Sequence, residues 1–215
     1  MELHSSIATQ RIVVVLRGLD TDRVLEAAAA LRRGGIQAFE VTMNSPNAIR
    51  SIERLCDTHG DEAYVGAGTV TRPGEVDDAA TAGARYIVSP NLDLAVVERT
   101  KDQGLVSIPG ALTPTEVLLA ARSGADLVKV FPVMPAGGAA YVRQLRGPYD
   151  DLPILASGGV TYDAIPSLFS AGVSAIALGV PLMLAGRSEG ANLDKLEEAA
   201  ADFLEATKCP SEAMT

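Results

Sequence analysis

Residues 104–132 read GLVSIPGALTPTEVLLAARSGADLVKVFP. Two short apolar runs, 106–109 and 127–131, flank a stretch with helical character. That stretch opens on Thr113-Pro114-Thr115-Glu116, which has the form of a capping box with proline in the first turn. It closes on Gly124, where a left-handed residue can end a helix. Strand, helix and strand in this order make a crossover unit, and crossover units build parallel sheets.

The same unit recurs along the whole chain. Candidate strands lie at 12–16, 38–42, 64–67, 86–89, 106–109, 127–131, 154–157 and 175–178. Helical patterns lie between them at 21–33, 46–59, 73–82, 92–103, 114–123, 139–145 and 162–171, with a last one at 193–207. Ser45-Pro46 reads as a cap followed by a proline at the first helical position, and Gly34-Gly35, Gly83, Gly104 and Gly172 read as helix ends. Eight βα units favour a single-domain α/β architecture, a closed (β/α)8 TIM barrel, over an open doubly wound sheet. No Gly-x-Gly-x-x-Gly follows the first strand to suggest a dinucleotide site. The barrel is expected to span the chain, 1–215, with loose ends at 1–10 and 208–215.

Composition narrows the function classes. A chain of 215 residues, 47% hydrophobic and 21% charged, has the makings of one core. A net charge of −9 argues against a nucleic-acid or anionic-membrane partner, since both need a basic face. No segment has the length of a membrane span, and the first residues lack the regions of a signal peptide, so a cytoplasmic protein is expected. Cys56 and Cys209 show no metal-ligand spacing and read as reduced thiols; His4 and His59 do not cluster with carboxylates, so no metal is expected.

Lys129 stands in the middle of the apolar run 127–131. A charged side chain in such a place is costly unless it is paired or has chemistry to perform. A lysine deprived of water holds its proton less firmly, and a free amine attacks a carbonyl carbon to form a Schiff base. The other reading is a lysine whose stem lies along the core while its head reaches water. Period-two alternation puts Leu127, Lys129 and Phe131 on one strand face, and Ala38, Glu40 and Thr42 on one face of another. If both faces point inward, Glu40 and Lys129 share the barrel mouth. Glu40 is then either a general acid/base or an ion-pair partner for Arg17 or Lys129. Arg17, Thr42, Thr69, Pro90, Pro109, Phe131 and Ser157-Gly158-Gly159 also follow or end strands, the place where barrels of this kind gather their chemistry. Gly158-Gly159 after the seventh strand and Gly179 after the eighth are candidates for holding a phosphate by backbone N–H groups; a plain tight turn is the alternative.

Glu40-Val41-Thr42, Val65-Gly66-Ala67-Gly68-Thr69-Val70, Val88-Ser89-Pro90, Ile108-Pro109-Gly110, Lys129-Val130-Phe131-Pro132 and Ser157-Gly158-Gly159-Val160 together resemble the successive motifs of the 2-keto-3-deoxy-6-phosphogluconate aldolase family, the class I pyruvate aldolases. The resemblance runs from about residue 10 to about residue 185. It implies a small barrel, a homotrimer without metal or other cofactor, that cleaves a 2-keto-3-deoxy-6-phospho sugar acid to pyruvate and glyceraldehyde 3-phosphate. By the same resemblance Lys129 forms the Schiff base and Glu40 moves protons. Thr69, Pro90 and Pro109 shape the pyruvate end, Arg17 holds the carboxylate or orders Glu40, and Phe131 walls the pocket, with Thr42 as a further substrate contact.

Two departures from the family pattern bear on the substrate. Met43-Asn44 stands where the phosphogluconate enzymes carry Leu-Arg, and Asn44-Ser45-Pro46 with Leu16-Arg17-Gly18 is more similar to the phosphogalactonate branch, making Asn44 a candidate sugar contact. Gly179 is followed by Val180-Pro181 where relatives carry a serine, which leaves phosphate to the amides of Gly158, Gly159, Gly179 and Val180. Other readings remain open: an aldolase for 4-hydroxy-2-oxoglutarate or for an unphosphorylated 2-keto-3-deoxy acid, an oxaloacetate decarboxylase, and a non-catalytic barrel that binds phosphorylated sugars.

Overall fold

The computed structural model describes residues 5–184 and 193–208. Among these, nine parallel strands form one sheet: β1 (Ile12–Leu16), β2 (Ala38–Thr42), β3 (Tyr64–Gly68), β4 (Tyr86–Val88), β5 (Val106–Ile108), β6 (Gly110–Ala111), β7 (Val128–Val130), β8 (Ile154–Ser157) and β9 (Ala175–Gly179). Their spatial order is β5-β4-β3-β2-β1-β9-β8-β7-β6. The two ends of that order, β5 and β6, are neighbours in sequence with Pro109 between them. Proline has no N–H for a ladder, so β5 pairs with β4 on one side and β6 with β7 on the other. The Pro109 carbonyl accepts from the Lys129 N–H at 2.9 Å. The two segments are one barrel strand in two pieces, and the sheet returns on itself as a single-domain (β/α)8 barrel.

Alternation along the strands separates two cores. Val13, Val15, Ala38, Tyr64, Tyr86, Val88, Val106, Ile108, Leu127, Leu155, Ala175 and Ala177 fill the barrel interior. Residues of the opposite parity, such as Val14, Phe39, Val41, Val65 and Ile87, pack outward against the helices. Small residues on β3 let large neighbours cross it. A Cβ at Gly66 would stand 2.4 Å from the Tyr86 ring, and one at Gly68 1.9 Å from Glu40 Oε1. Tyr86 therefore lies across β3 and stacks on Tyr64, with ring centres 5.0 Å apart.

The helices are α1 (Ser5–Gln10), α2 (Thr21–Arg33), α3 (Ala48–His59), α4 (Pro73–Thr81), α5 (Leu94–Asp102), α6 (Pro114–Arg122), α7 (Gly138–Arg146), α8 (Ile165–Ser170), α9 (Val180–Met183) and α10 (Leu193–Thr207). Short 3₁₀ turns sit at Gly60–Glu62 and Tyr162–Ala164. The box at α6 forms as the sequence suggests: Thr113 N–H donates to Glu116 Oε2 at 2.7 Å, and Glu116 N–H donates to Thr113 Oγ1 at 3.4 Å. Gly124 follows with φ +97°, reversing the chain toward β7.

Two local features differ from what the sequence suggests. Ser45 does not cap α3; the chain passes first through Asn47, left-handed at φ 52°, and the helix starts at Ala48. Ser45 Oγ instead accepts from the Gly18 N–H at 2.8 Å and pairs with Thr42 Oγ1 at 2.7 Å, tying the loops after β1 and β2 together. Residues 5–10 are not a loose end: they form α1, whose Ile7 is fully buried in the interior cluster at the N-terminal mouth. Residues 1–4 and 209–215, which include His4 and Cys209, lie outside the described residues. Among the described residues no helix is long and apolar enough to cross a membrane, and no group of three His, Cys, Asp or Glu side chains is placed to hold a metal.

Candidate active site

The strand parity that buries Ala38 and Leu127 inside the barrel carries Glu40 and Lys129 inward one step closer to the C-terminal mouth. There both line one cleft of about 320 Å³, together with Arg17, Thr69, Pro90, Phe131, Gly158, Gly159 and Gly179. Ser157, Pro181 and Leu182 line it as well. Ten of the fourteen residues singled out from the sequence, Ser157 among them, thus meet in one place.

Lys129 is 5% exposed, its amine reaching the cleft floor 5.2 Å from the Phe131 ring centre. Phe131, 37% exposed, stands at the rim, and the bond from it to Pro132 is cis. Glu40 has no exposed surface, and neither carboxyl oxygen has a hydrogen-bond partner among the described residues. A buried carboxyl is normally satisfied by the protein. Here Glu40 borders the cleft, and Gly68 supplies the space in which the carboxyl sits. An ion pair with Arg17 or Lys129, the structural reading of Glu40, does not form among the described residues.

Arg17 is anchored elsewhere. Its Nη1 donates to Asn44 Oδ1 at 3.1 Å and its Nη2 to Thr69 Oγ1 at 3.0 Å. Thr69 adopts φ 58°, a left-handed conformation that a β-branched residue rarely takes and that costs on the order of 1–3 kcal/mol. Ladder contacts on either side hold it there: Met43 N–H donates to the Gly68 carbonyl at 2.7 Å, and Val70 N–H to the Val88 carbonyl at 3.2 Å. The strain turns the Thr69 hydroxyl toward the guanidinium.

Gly158 and Gly159 follow β8 with φ of +93° and +81°. A Cβ on Gly158 would meet Pro132 Cα at 2.7 Å, so the turn needs glycine for space as well as for conformation. Among the described residues neither glycine donates its N–H to a backbone carbonyl, while the Gly158 carbonyl accepts from Met134. Four of the singled-out residues do not line the cleft. Thr42 is buried against Ser45, Asn44 is exposed and accepts from Arg17, Pro109 is buried at the strand break, and Val180 opens α9. The sequence reading passed over Tyr86, fully buried on β4 beside Glu40, because a tyrosine in an apolar strand looks like core. Burial, then the nearby Glu40 charge, push its phenol well above the usual range.

Comparison with known proteins adds to this geometry. The family model for KDPG and KHG aldolase matches residues 3–199. The 2-dehydro-3-deoxy-6-phosphogalactonate aldolase of Escherichia coli K12 is 35% identical over 196 residues, covering 91% of this chain and 93% of the relative. A solved structure described as native KDPGal superposes with a TM-score of 0.87 at 32% identity, over 97% of this chain and 98% of the other. The KDPG aldolase of Legionella pneumophila, solved with pyruvate captured as a covalent carbinolamine intermediate, superposes at 0.82 with 26% identity, over 92% and 95% of the two chains.

Proposed function

The chain belongs to the KDPG and KHG aldolase family, and from that premise we propose that it is a class I aldolase cleaving a 2-keto-3-deoxy-6-phospho sugar acid to pyruvate and glyceraldehyde 3-phosphate. The observation that carries the reading is the meeting of Lys129 with the unpartnered Glu40 carboxyl in one cleft. The neutral Lys129 amine attacks the C2 carbonyl, and the carbinolamine hydroxyl leaves as water by taking one proton from solvent, which gives a protonated imine; the final hydrolysis returns that proton. That imine draws in the electron pair of the C3–C4 bond as it breaks. Glu40 takes the C4 hydroxyl proton, directly or through water, and the aldehyde leaves. Glu40 then returns a proton to C3 of the enamine, and hydrolysis frees pyruvate and the lysine. Pyruvate held as a carbinolamine in a relative supports the first step.

The other roles follow from charge and position. Arg17, held by Thr69 and Asn44, meets the substrate carboxylate or steadies the site around Glu40. Phe131 and Pro90 wall the cleft, and Thr42 and Pro109 support it from behind through Ser45 and the Lys129 backbone. The Gly158 and Gly159 amides, with Gly179 and Val180 beside them, take the phosphate. Asn44 in place of an arginine favours the galacto-configured acid, acting through the placement of Arg17. Pyruvate release should be measured for both C4 epimers, each with and without phosphate. The galacto acid should be cleaved at least as fast as the gluco acid, and phosphate should raise kcat/KM. A panel without any cleavage overturns the reading.

The family resemblance also supports a cytoplasmic homotrimer. Leu94 on α5 and Leu119 on α6, 51% and 45% exposed, offer apolar surface for the contact. Sedimentation should give three times the chain mass; a monomer at micromolar concentration counts against it.

A further inference from the structure

Glu40, Gly66 and Tyr86 occupy one level of the barrel interior. Glu40 is paired in register with Gly66, and Gly66 with Tyr86. Because Gly66 has no side chain, the Tyr86 ring lies over it and reaches from β4 toward β2. The stacked Tyr64 ring fixes its tilt from the other side. The Tyr86 hydroxyl is buried, like both Glu40 oxygens, and none of the three atoms has a hydrogen-bond partner among the described residues.

One of these groups is a donor that must give its proton to something, and the other is an acceptor when ionised. Buried polar groups left unpaired are costly, and native proteins rarely keep two side by side. We propose that the Tyr86 hydroxyl donates to the Glu40 carboxylate through one bridging water, and so acts as a positioning residue that holds the acid/base ready for the proton it takes from the substrate. The proposal rests on the reading of Glu40 as that acid/base. It assigns to β4 a part in the chemistry: the phenol stays protonated in its buried place and supplies, through that water, one hydrogen bond from beneath, leaving the upper side of the carboxylate to the substrate. The other charged groups facing the cleft are Arg17 from the end of β1 and Lys129 from β7, and Arg17 is already committed to Asn44 and Thr69.

The test is Tyr86→Phe in the full-length protein, which removes the hydroxyl and keeps the ring. A hydrogen bond to the carboxylate favours its ionised, proton-accepting form. Without it, the acid limb of the kcat/KM profile should move to higher pH by about one unit or more. Trapping of pyruvate at Lys129 with borohydride should be unchanged, which shows that the fold and the nucleophile are intact. A profile that superimposes on the parent, or a loss of turnover with an unmoved acid limb, overturns the proposal and returns Tyr86 to plain packing. Glu40→Gln is measured in parallel. If it keeps near-normal turnover, the acid/base reading itself falls and takes the proposal with it; if it is inactive while Tyr86→Phe is unchanged, only the proposal falls.

Discussion

Lys129 and Glu40 were both visible in the sequence, for the same reason: each interrupts a short apolar strand at a position whose parity matches buried neighbours. The structure adds what parity cannot give, namely that the Glu40 carboxyl is buried at the edge of the cleft with no hydrogen-bond partner among the described residues. Pyruvate with borohydride should label Lys129 and spare Lys101, which is engaged with Asp126 at 2.6 Å. Peptide mapping checks this, and Lys129→Ala should abolish cleavage. Glu40→Gln should lower turnover by about a hundredfold or more while still trapping pyruvate. Thr69 was legible as a motif residue, but its left-handed backbone was not, because a β-branched side chain argues against that conformation. Asn44, expected from the sequence to contact the sugar, accepts from Arg17 Nη1 at 3.1 Å, a partner that its place in the sequence does not announce. Single residues thus declare their chemistry in sequence more readily than their partners.

At the scale of elements, helix starts were read well where the cap is a local motif and poorly where a loop intervenes. The box at α6 needs only Thr113 and Glu116, three residues apart, and it forms. Thr113→Ala should cost about 1 kcal/mol in urea unfolding. The Glu116 carboxyl is held below its ordinary range by the Thr113 backbone N–H first, then that of Leu112, then the Thr113 hydroxyl. A carboxyl lowered in the folded state stabilises above its unfolded value, and that contribution is lost as pH falls through the folded value. The stability gap between parent and Glu116→Gln should therefore be present near neutral pH and shrink below about pH 4, the unfolded carboxylate range. Because Glu116 is exposed, the gap will be small. Ser45 does not cap because a tertiary bond from Gly18 and a local one with Thr42 claim its hydroxyl, and nothing local announces the first.

At the scale of the whole molecule, alternation of strand and helix gave the barrel, but not how its fifth strand divides at Pro109 nor how the last helix closes the outer layer. α10 packs on α2 and α8. A Cβ at Gly34 would meet the Glu197 carbonyl at 2.4 Å, and Phe203 is buried in an edge contact with Tyr162, ring centres 5.2 Å apart. Phe203→Ala should cost about 3–5 kcal/mol, a large share of the roughly 5–15 kcal/mol that holds a domain together, measured by chemical unfolding. The break at Pro109 has a kinetic consequence. Glu40 and Thr69 come from the chain before it, Lys129 and Gly158 from the chain after it, and the sheet joins the halves where β1 meets β9 and where the broken strand bridges β4 to β7. Neither half holds a complete reaction centre, so aldol cleavage regained during refolding is a clock for ring closure: in a quench experiment it should never run ahead of amide protection in β1 and β7.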